Sequence, residues 1–134
     1  MKKYVVGFLF KENHSKVILI RKNRPEWQKD LLNGVGGHIE EGETIQEAMV
    51  REFFEETGVL HQKWDNYLTH IFNESTVYFF KAFSDEAFEK CKTMTDEKIV
   101  RGSVRPLLEE TIPNLKWIIP LALDPFVSQA RVHQ

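Results

Sequence analysis

The sequence predicts an α+β domain in which a mixed β-sheet lies between helices. Two pairs of β-rich runs, 4–10 with 16–21 and 64–72 with 76–83, are each joined by a short polar connection, which is typical of a hairpin. A long amphipathic run over 44–57 predicts a helix between the two hairpins. Because hairpins dominate over alternating strand–helix units, the order favours a mixed sheet over a parallel one.

Local signals predict the other elements. The polar segment 23–30 contains Pro25 and predicts a loop. Thr44 precedes the amphipathic run and Glu47 follows three positions later, which is a capping-box pattern, and Gly58 is suited to end the helix. Further predictions are a short helix over 85–92, a strand over 98–104 and a mainly helical segment over 114–132, interrupted by Pro120 and Pro125.

Length and composition indicate one soluble domain over residues 1–134, as a monomer or a homodimer. The 134 residues, 42% of them hydrophobic, suffice for a core, and a net charge of −2 gives no general attraction to nucleic acid or anionic lipid. The N-terminal apolar run ends at Lys11, and no run approaches the roughly 18 residues of a membrane span. Cys91 is the only cysteine, so an intramolecular disulfide is excluded and a cytoplasmic location is expected.

Acidic residues are concentrated on the predicted helix and the turn before it. Seven glutamates lie between Glu40 and Glu56, with Arg51 as the only Lys or Arg among them. Glu52, Glu55 and Glu56 have i, i+3, i+4 spacing, which places them on one helical face. One interpretation is a solvated face, but the segment carries no lysine, and acidic groups in the last turn oppose the helix dipole. The other interpretation is a site for Mg²⁺ or Mn²⁺, which prefer hard oxygen ligands.

The same segment carries the pattern of a known family. Gly37, Glu43 and the run 51–59 together resemble the Nudix (MutT-like) box, GX5EX7REUXEEXGU, which extends here over 37–59. All seven fixed identities of that pattern are present. Phe53 is a mild departure, since a bulky aliphatic residue is usual there, but it keeps the position apolar. The order of strands and helices around the box also resembles the Nudix α/β/α sandwich.

The resemblance implies an activity and a cofactor. Nudix enzymes hydrolyse a nucleoside diphosphate linked to another moiety, with water attacking a phosphorus of the diphosphate bridge. Mg²⁺, with Mn²⁺ as a substitute, is expected on Glu52, Glu55 and Glu56 and at the backbone of Gly37, where a glycine allows close approach. Arg51 in such boxes pairs with other box carboxylates and orients them.

The general base has two candidates under this resemblance. Glu56 is the candidate within the box. Glu97 precedes the strand predicted over 98–104, where many relatives place an additional metal-ligating acid; the alternative is an ordinary acidic loop residue. The predicted catalytic set is Glu52, Glu55, Glu56, Glu97 and Arg51.

The segment before the box bears on the substrate. Residues 32–37 resemble the WNGFGG-type lead-in of the oxidised-purine triphosphatases within the family. An asparagine at this place hydrogen-bonds the base in that subgroup, which implies the same role for Asn33. Leu32 is a departure, because it occupies the aromatic position. The alternative is that Asn33 serves the turn before Gly34.

Other pocket candidates lie near the C-terminus and in the predicted loop. The run PNLKWIIPL resembles the terminal helix entry of the same subgroup, which implies that Asn114 faces the base edge and Trp117 walls the pocket. A place in the core is the alternative for Trp117. Trp27, in a polar loop, is a candidate for stacking on the base. Arg21 and Lys22 end a strand beside that loop and are candidates for the phosphate tail.

These patterns favour a nucleoside triphosphate pyrophosphatase that releases a nucleoside monophosphate and pyrophosphate, with 8-oxo-dGTP as an example of the substrate. ADP-ribose hydrolases carry a proline some fifteen residues after the box, where this chain has Asn73 and Glu74. Dinucleoside polyphosphate hydrolases often carry a tyrosine near Tyr78, which lies in an apolar run. A non-catalytic nucleotide sensor would be expected to lack one or more box carboxylates. An RNA-binding or decapping protein would be expected to carry basic patches.

Overall fold

The structure is a computed structural model that describes residues 2–134. The described residues form eight strands, three α-helices and one 3-10 turn. The strands are β1 (Lys2–Phe10), β2 (Lys16–Arg21), β3 (Leu32–Asn33), β4 (Val35–His38), β5 (Asp65–Phe72), β6 (Ser75–Phe83), β7 (Ile99–Ser103) and β8 (Ala130–His133). The helices are α1 (Ile45–Thr57), α2 (Asp85–Lys90) and α3 (Leu115–Leu123), and the 3-10 turn is Glu26–Gln28.

The strands form one mixed sheet in the spatial order β3-β2-β1-β6-β5-β8, with β4 also paired to β1 and β7 to β2. β1 is antiparallel to β2 and parallel to β6 over its full length. β5 and β6 form the second predicted hairpin, joined through Asn73 and Glu74. The predicted fold class is therefore confirmed, with parallel and antiparallel pairs in one sheet.

Each face of the sheet is covered by helices, because apolar residues alternate along the central strands. Val5 and Leu9 of β1 are buried on the side of α1 and α2, whereas Phe8 and Phe10 are buried on the side of α3. This alternation is the period-2 pattern of a strand that is buried on both faces. The result is a three-layer α/β/α sandwich, in which the carboxylate-rich helix α1 and the C-terminal helix α3 lie on opposite faces.

The predicted helix over 114–132 is wrong beyond Leu123. Residues 130–133 instead form β8, which pairs in parallel with β5 from Leu68↔Ala130 to Ile71↔His133. Pro120 does not interrupt α3. Proline has no N–H, so one helical hydrogen bond is lost, that to the carbonyl of Lys116, and Lys116 is an exposed residue. The helix ends before Pro125, and the sheet edge that β5 offers then decides the conformation of the last residues.

Smaller differences concern element ends and two short strands. The helix predicted over 85–92 ends at Lys90, and the strand predicted over 98–104 covers Ile99–Ser103. Segment 32–38, for which no strand is predicted above, contributes β3 and β4 to the sheet. No helix among residues 2–134 is both long and apolar enough to cross a membrane.

Candidate active site

Helix α1 begins and ends as its sequence predicts. The Thr44 hydroxyl accepts a hydrogen bond from the Glu47 N–H at 3.1 Å, and the Glu47 carboxylate accepts one from the Thr44 N–H at 2.8 Å, which completes the capping box. Gly58 follows the helix in the left-handed region, with φ of 75°, and donates its N–H to the Phe54 carbonyl. Both ends are thus set by local chemistry, which fixes the register of the glutamates.

The buried face of α1 orients its acidic face. Ala48, Met49, Phe53 and Thr57 are buried, and the Phe53 ring lies 5.0 Å from the Trp64 ring in an edge contact. Phe53, the departure from the usual box residue, is therefore a core residue. With this face packed on the sheet, the glutamates of the last two turns lie beside the start of the box and the loop that precedes β7.

Arg51 is the hub of the box carboxylates. Its Nε and Nη2 donate to both oxygens of Glu43 at 2.6 and 3.0 Å, and its Nη1 donates to Glu52 at 2.9 Å and to Glu55 at 3.1 Å. Nη2 also donates to the carbonyl of His38 at 3.0 Å. The hydrogen bond to Glu43 and the other carboxylates raise the pKa of Arg51, and the guanidinium lowers the pKa of Glu43. Arg51 thus pairs with three box carboxylates, which is the contact that the resemblance implies for it.

Glu52 lies directly against the backbone of Gly37. A Cβ atom at Gly37 would be 2.5 Å from Glu52 Oε2 and 2.6 Å from Oε1, so only glycine leaves room for this carboxylate. The Glu52 side chain is 12% exposed, and burial is the main cause that raises its pKa, against the lowering effect of Arg51. Gly37 is therefore part of the site through the space that it provides.

Glu56 is held by the loop before β7. The Thr95 hydroxyl donates to Glu56 Oε2 at 2.9 Å and accepts a hydrogen bond from the Glu97 N–H at 3.1 Å. Burial raises the pKa of Glu56, and the charges of Glu97 and Glu52 act in the same direction, while Thr95 and Lys22 act in the opposite one. Glu56 and Glu97, the two candidates for the general base, are thus linked through Thr95.

The oxygens of Glu97 are occupied by other partners. Lys22 Nζ donates to Oε1 at 3.1 Å, and the Asn23 N–H donates to Oε2 at 2.7 Å. The Glu97 side chain is only 3% exposed. In this arrangement Glu97 connects the end of β2 to the loop before β7, and Lys22, a candidate for the phosphate tail, is paired with a carboxylate.

A divalent metal fits the chemistry of these donors. Among residues 2–134, no group of three or more His, Cys, Asp or Glu side chains is already arranged to hold a metal ion. Glu52 and Glu56 are nevertheless hard oxygen donors whose pKa values are raised chiefly by burial. A cation beside them would offset the cost of ionising both. Glu55, paired with Arg51 and 52% exposed, is the third donor on the same helical face.

The remaining pocket candidates are placed as follows. Trp27 is 65% exposed on the 3-10 turn, as the stacking hypothesis requires. Arg21 donates to the Asp30 carbonyl at 2.9 Å and pairs with Glu110 at 3.3 Å. Asn33 accepts the Gly34 N–H at 2.7 Å, which is the turn role weighed as the alternative.

Asn33 also has a partner that the sequence did not indicate. Its amide Nδ2 donates to Gln28 Oε1 at 3.1 Å, so the 3-10 turn that carries Trp27 is linked to β3. Since the amide NH₂ has two N–H donors, its second N–H is a group that Asn33 can still offer to a substrate.

Asn114 and Trp117 lie at the start of α3 near β3. The Ile112 N–H donates to the Leu32 carbonyl at 3.0 Å, which carries the entry of α3 alongside the segment containing Asn33. Asn114 Oδ1 is the only buried side-chain nitrogen or oxygen without a hydrogen-bond partner within the described chain. Trp117 is 39% exposed and meets His70 edge-on, with ring centroids 5.9 Å apart. Asn114 thus keeps an acceptor without a partner and Trp117 a partly exposed ring, so both remain candidates for contact with a ligand.

Gly37→Ala is expected to lower kcat at least tenfold, because the added methyl would displace the Glu52 carboxylate. Steady-state kinetics with Mg²⁺ measures the effect. Gly42→Ala is the matched control: it has φ of 84° and open space around the Cβ position, so it carries backbone strain of about 1–2 kcal/mol without moving a carboxylate. Equal kcat losses in the two variants would contradict the proposed contact.

The comparison with known proteins identifies the family of this chain. A family model described as the NUDIX domain matches residues 1–125. The chain belongs to the Nudix family. The Nudix box then lies on the loop and helix whose contacts are described above, and Arg51, Glu52, Glu55 and Glu56 are the charged residues at its fixed positions on α1.

The individual proteins to which the chain is similar differ in function. An ADP-ribose pyrophosphatase of Methanocaldococcus jannaschii is 47% identical over 57 residues, which are 42% of this chain and 31% of that protein. A MutT protein of Bacillus halodurans has 22% identity and a TM-score of 0.74, covering 99% of this chain and 90% of that one. The NUDIX domain of Shewanella oneidensis NrtR, complexed with ADP ribose, has 18% identity and a TM-score of 0.77, covering 90% and 85%. The two structural likenesses show the fold alone.

Proposed function

We propose that the protein hydrolyses phosphoanhydride bonds in nucleoside diphosphate derivatives. The reaction requires a divalent metal, which is Mg²⁺ with Mn²⁺ as a substitute. The observation that carries the proposal is the complete set of Nudix box carboxylates around Arg51, with Glu52 against Gly37 and Glu56 held by Thr95. A sensor that only binds nucleotide would not need this set.

Glu52, Glu55 and Glu56 are the residues that would hold the metal, with the backbone at Gly37. When bound, a divalent ion neutralises phosphate oxygens and lowers the pKa of a coordinated water. Arg51 keeps Glu52 and Glu55 in place through hydrogen bonds of 2.9 and 3.1 Å. These carboxylates are therefore fixed before substrate arrives, which limits reorganisation during the reaction.

Glu56 is our candidate for the general base. Burial raises its pKa toward the operating range, which suits a carboxylate that must accept a proton from the attacking water. The oxygen of that water bonds to phosphorus, the phosphoanhydride P–O bond breaks, and the leaving phosphate group departs as an anion. Both oxygens of Glu97 are occupied by Lys22 and Asn23, which favours Glu56 over Glu97 for this role.

For the substrate, we favour a nucleoside triphosphate such as 8-oxo-dGTP, cleaved to the monophosphate and pyrophosphate. Asn33 offers an NH₂ donor and Asn114 an acceptor without a partner, and backbone bonds place the two segments side by side. A donor and an acceptor together match a purine edge that carries both a carbonyl and an N–H.

ADP-ribose is the second candidate. Its support comes from the Methanocaldococcus jannaschii ADP-ribose pyrophosphatase and from the ADP-ribose complex of the NrtR NUDIX domain. The two substrates make different demands on the site, because only the triphosphate leaves pyrophosphate behind.

Identification of the products formed from a substrate panel tests the proposal: a dNTP gives a monophosphate and pyrophosphate, ADP-ribose gives AMP and ribose 5-phosphate, and a diadenosine polyphosphate gives two adenine nucleotides. The panel contains canonical and oxidised dNTPs, ADP-ribose and diadenosine polyphosphates, each with Mg²⁺, with Mn²⁺ and with EDTA. We expect pyrophosphate from one or more dNTPs and no turnover in EDTA. Turnover of ADP-ribose alone would replace the first substrate with the second. Activity that survives EDTA would refute the metal requirement.

A further inference from the structure

The loop between α2 and β7 contacts the C-terminal end of α1 at three successive points. The Lys92 N–H donates to the Thr57 carbonyl at 3.0 Å. Met94 lies over Gly58, where a Cβ atom would be 3.3 Å from its sulfur. Thr95 then donates its hydroxyl proton to Glu56 Oε2 at 2.9 Å. The third contact differs in kind, because it ends on a carboxylate of the candidate site.

The Thr95 hydroxyl is itself fixed by the backbone. Its oxygen accepts the Glu97 N–H at 3.1 Å, so its proton is free to point at Glu56. Glu97 is in turn anchored by Lys22 and Asn23. A hydroxyl held in this way can keep one carboxylate oxygen in a single orientation and leave the other oxygen available.

Thr93 provides an internal comparison two residues earlier. Its hydroxyl accepts the Ile99 N–H at 3.0 Å, which is the same kind of loop-stabilising bond. Within the described chain the Thr93 hydroxyl makes no hydrogen bond to α1, whereas Thr95 adds the bond to Glu56. Substitution of Thr93 therefore tests the stabilisation of the loop alone, whereas substitution of Thr95 also tests the orientation of the Glu56 carboxylate.

We propose that Thr95 is a positioning residue of the active site, which orients the Glu56 carboxylate for metal binding and turnover. This inference rests on the proposed function of Glu56. The role belongs to the loop before β7, outside the Nudix box, and it requires a hydroxyl at this position. Groups that hold a metal ligand in place commonly change metal affinity or activity by 10–100-fold when they are removed.

The test compares Thr95→Val, Thr95→Ser and Thr93→Val with the wild-type protein. Three quantities are measured: kcat and KM with Mg²⁺ on the best substrate, the affinity of nucleotide-free protein for Mn²⁺, and Tm. We expect Thr95→Val to lower kcat about tenfold or more with little change in KM, and to weaken Mn²⁺ binding by a similar factor. Thr95→Ser keeps the hydroxyl and should stay within about twofold of wild type in both.

Thr93→Val shows whether the effect of Thr95→Val comes from the orientation of Glu56 or from the stability of the loop. It should lower Tm about as much as Thr95→Val does, yet leave kcat and Mn²⁺ affinity within about twofold of wild type. Equal losses in the two valine variants, or no loss in Thr95→Val, would overturn the inference. If wild-type protein hydrolyses none of the panel, the proposed function fails, and Mn²⁺ affinity alone still decides the role of Thr95. Protein that neither turns over substrate nor binds Mn²⁺ overturns both.

Discussion

Glu56→Gln is expected to lower kcat by about 10²–10⁴-fold while leaving the fold at least as stable as wild type near neutral pH. Glutamine cannot accept the proton of the attacking water and is a poor ligand for a hard cation. Its carbonyl oxygen can still accept the Thr95 hydroxyl proton, so the loop contact is retained. Loss of activity without loss of stability is the signature of a residue that serves the reaction.

The stability of this variant follows from the pKa of Glu56. Burial first, then the charges of Glu97 and Glu52, raise that pKa above the ordinary value of 4.5. A carboxyl whose pKa is raised in the folded state does not lower the free energy of unfolding below pH 4.5, where it is protonated in both states. It lowers that free energy as pH rises through the folded-state pKa, because the folded protein must then hold the charged form. The variant should therefore have the higher Tm at pH 8 without metal, and the difference should disappear below about pH 4.5.

Thermal melts in EDTA at several pH values check the predicted difference in Tm, and kinetics in Mg²⁺ check the predicted loss of kcat. Glu41→Gln is the control, since it removes one acidic charge at a variable position of the box. It should change kcat by less than about twofold and show no comparable gain in Tm. A Glu56→Gln variant that keeps more than a tenth of wild-type kcat would remove Glu56 from the role of base.

The carboxylate helix was predictable because the signals that form it are local. Thr44, Glu47 and Gly58 set the two ends of α1, and periodicity places Glu52 and Glu56 on one face. Those relations follow from helical geometry within a few residues, whatever the rest of the chain does. The resemblance to the Nudix box adds chemistry to the same residues.

Contacts between distant segments were not predictable from the sequence. Thr95 and Glu56 are 39 residues apart in the sequence. No feature of the short polar loop that contains Thr95 marks this residue as the partner of a carboxylate. The occupation of Glu97 by Lys22 spans 75 residues. These pairs depend on how β2, β7 and α1 meet, which is decided by packing and not by any local pattern.

The C-terminal strand shows how the sheet can override local propensity. Residues 130–133 carry little strand signal, and prolines nearby suggested an interrupted helix. The open edge of β5 offers unpaired backbone groups, and parallel pairing at Thr69↔Arg131 and its neighbours satisfies them. A polar edge strand of four residues therefore forms where the sequence predicted a helix.

Arg51→Gln is expected to destabilise the protein by about 3 kcal/mol, which corresponds to a fall in Tm of roughly 10 °C for a domain of this size. The side chain is 24% exposed and contacts three carboxylates closely, so its removal leaves like charges side by side without a cation. Arg51→Lys should recover only part of this loss, because a single ammonium group cannot reproduce the two-bond contact with Glu43.

The pH dependence distinguishes this network from ordinary packing. Arg51 lowers the pKa of Glu43, so the stabilisation is present above the ordinary value of 4.5 and is lost as pH falls through the lower folded-state value. The Tm gap between wild type and Arg51→Gln should therefore narrow below pH 4.5. Lys90→Met is the control, since it breaks the exposed i,i+4 pair with Glu86 and should leave Tm close to that of the wild type. If the two variants had equal Tm values, or if the gap were independent of pH, Arg51 would not be the hub that holds the Nudix box together.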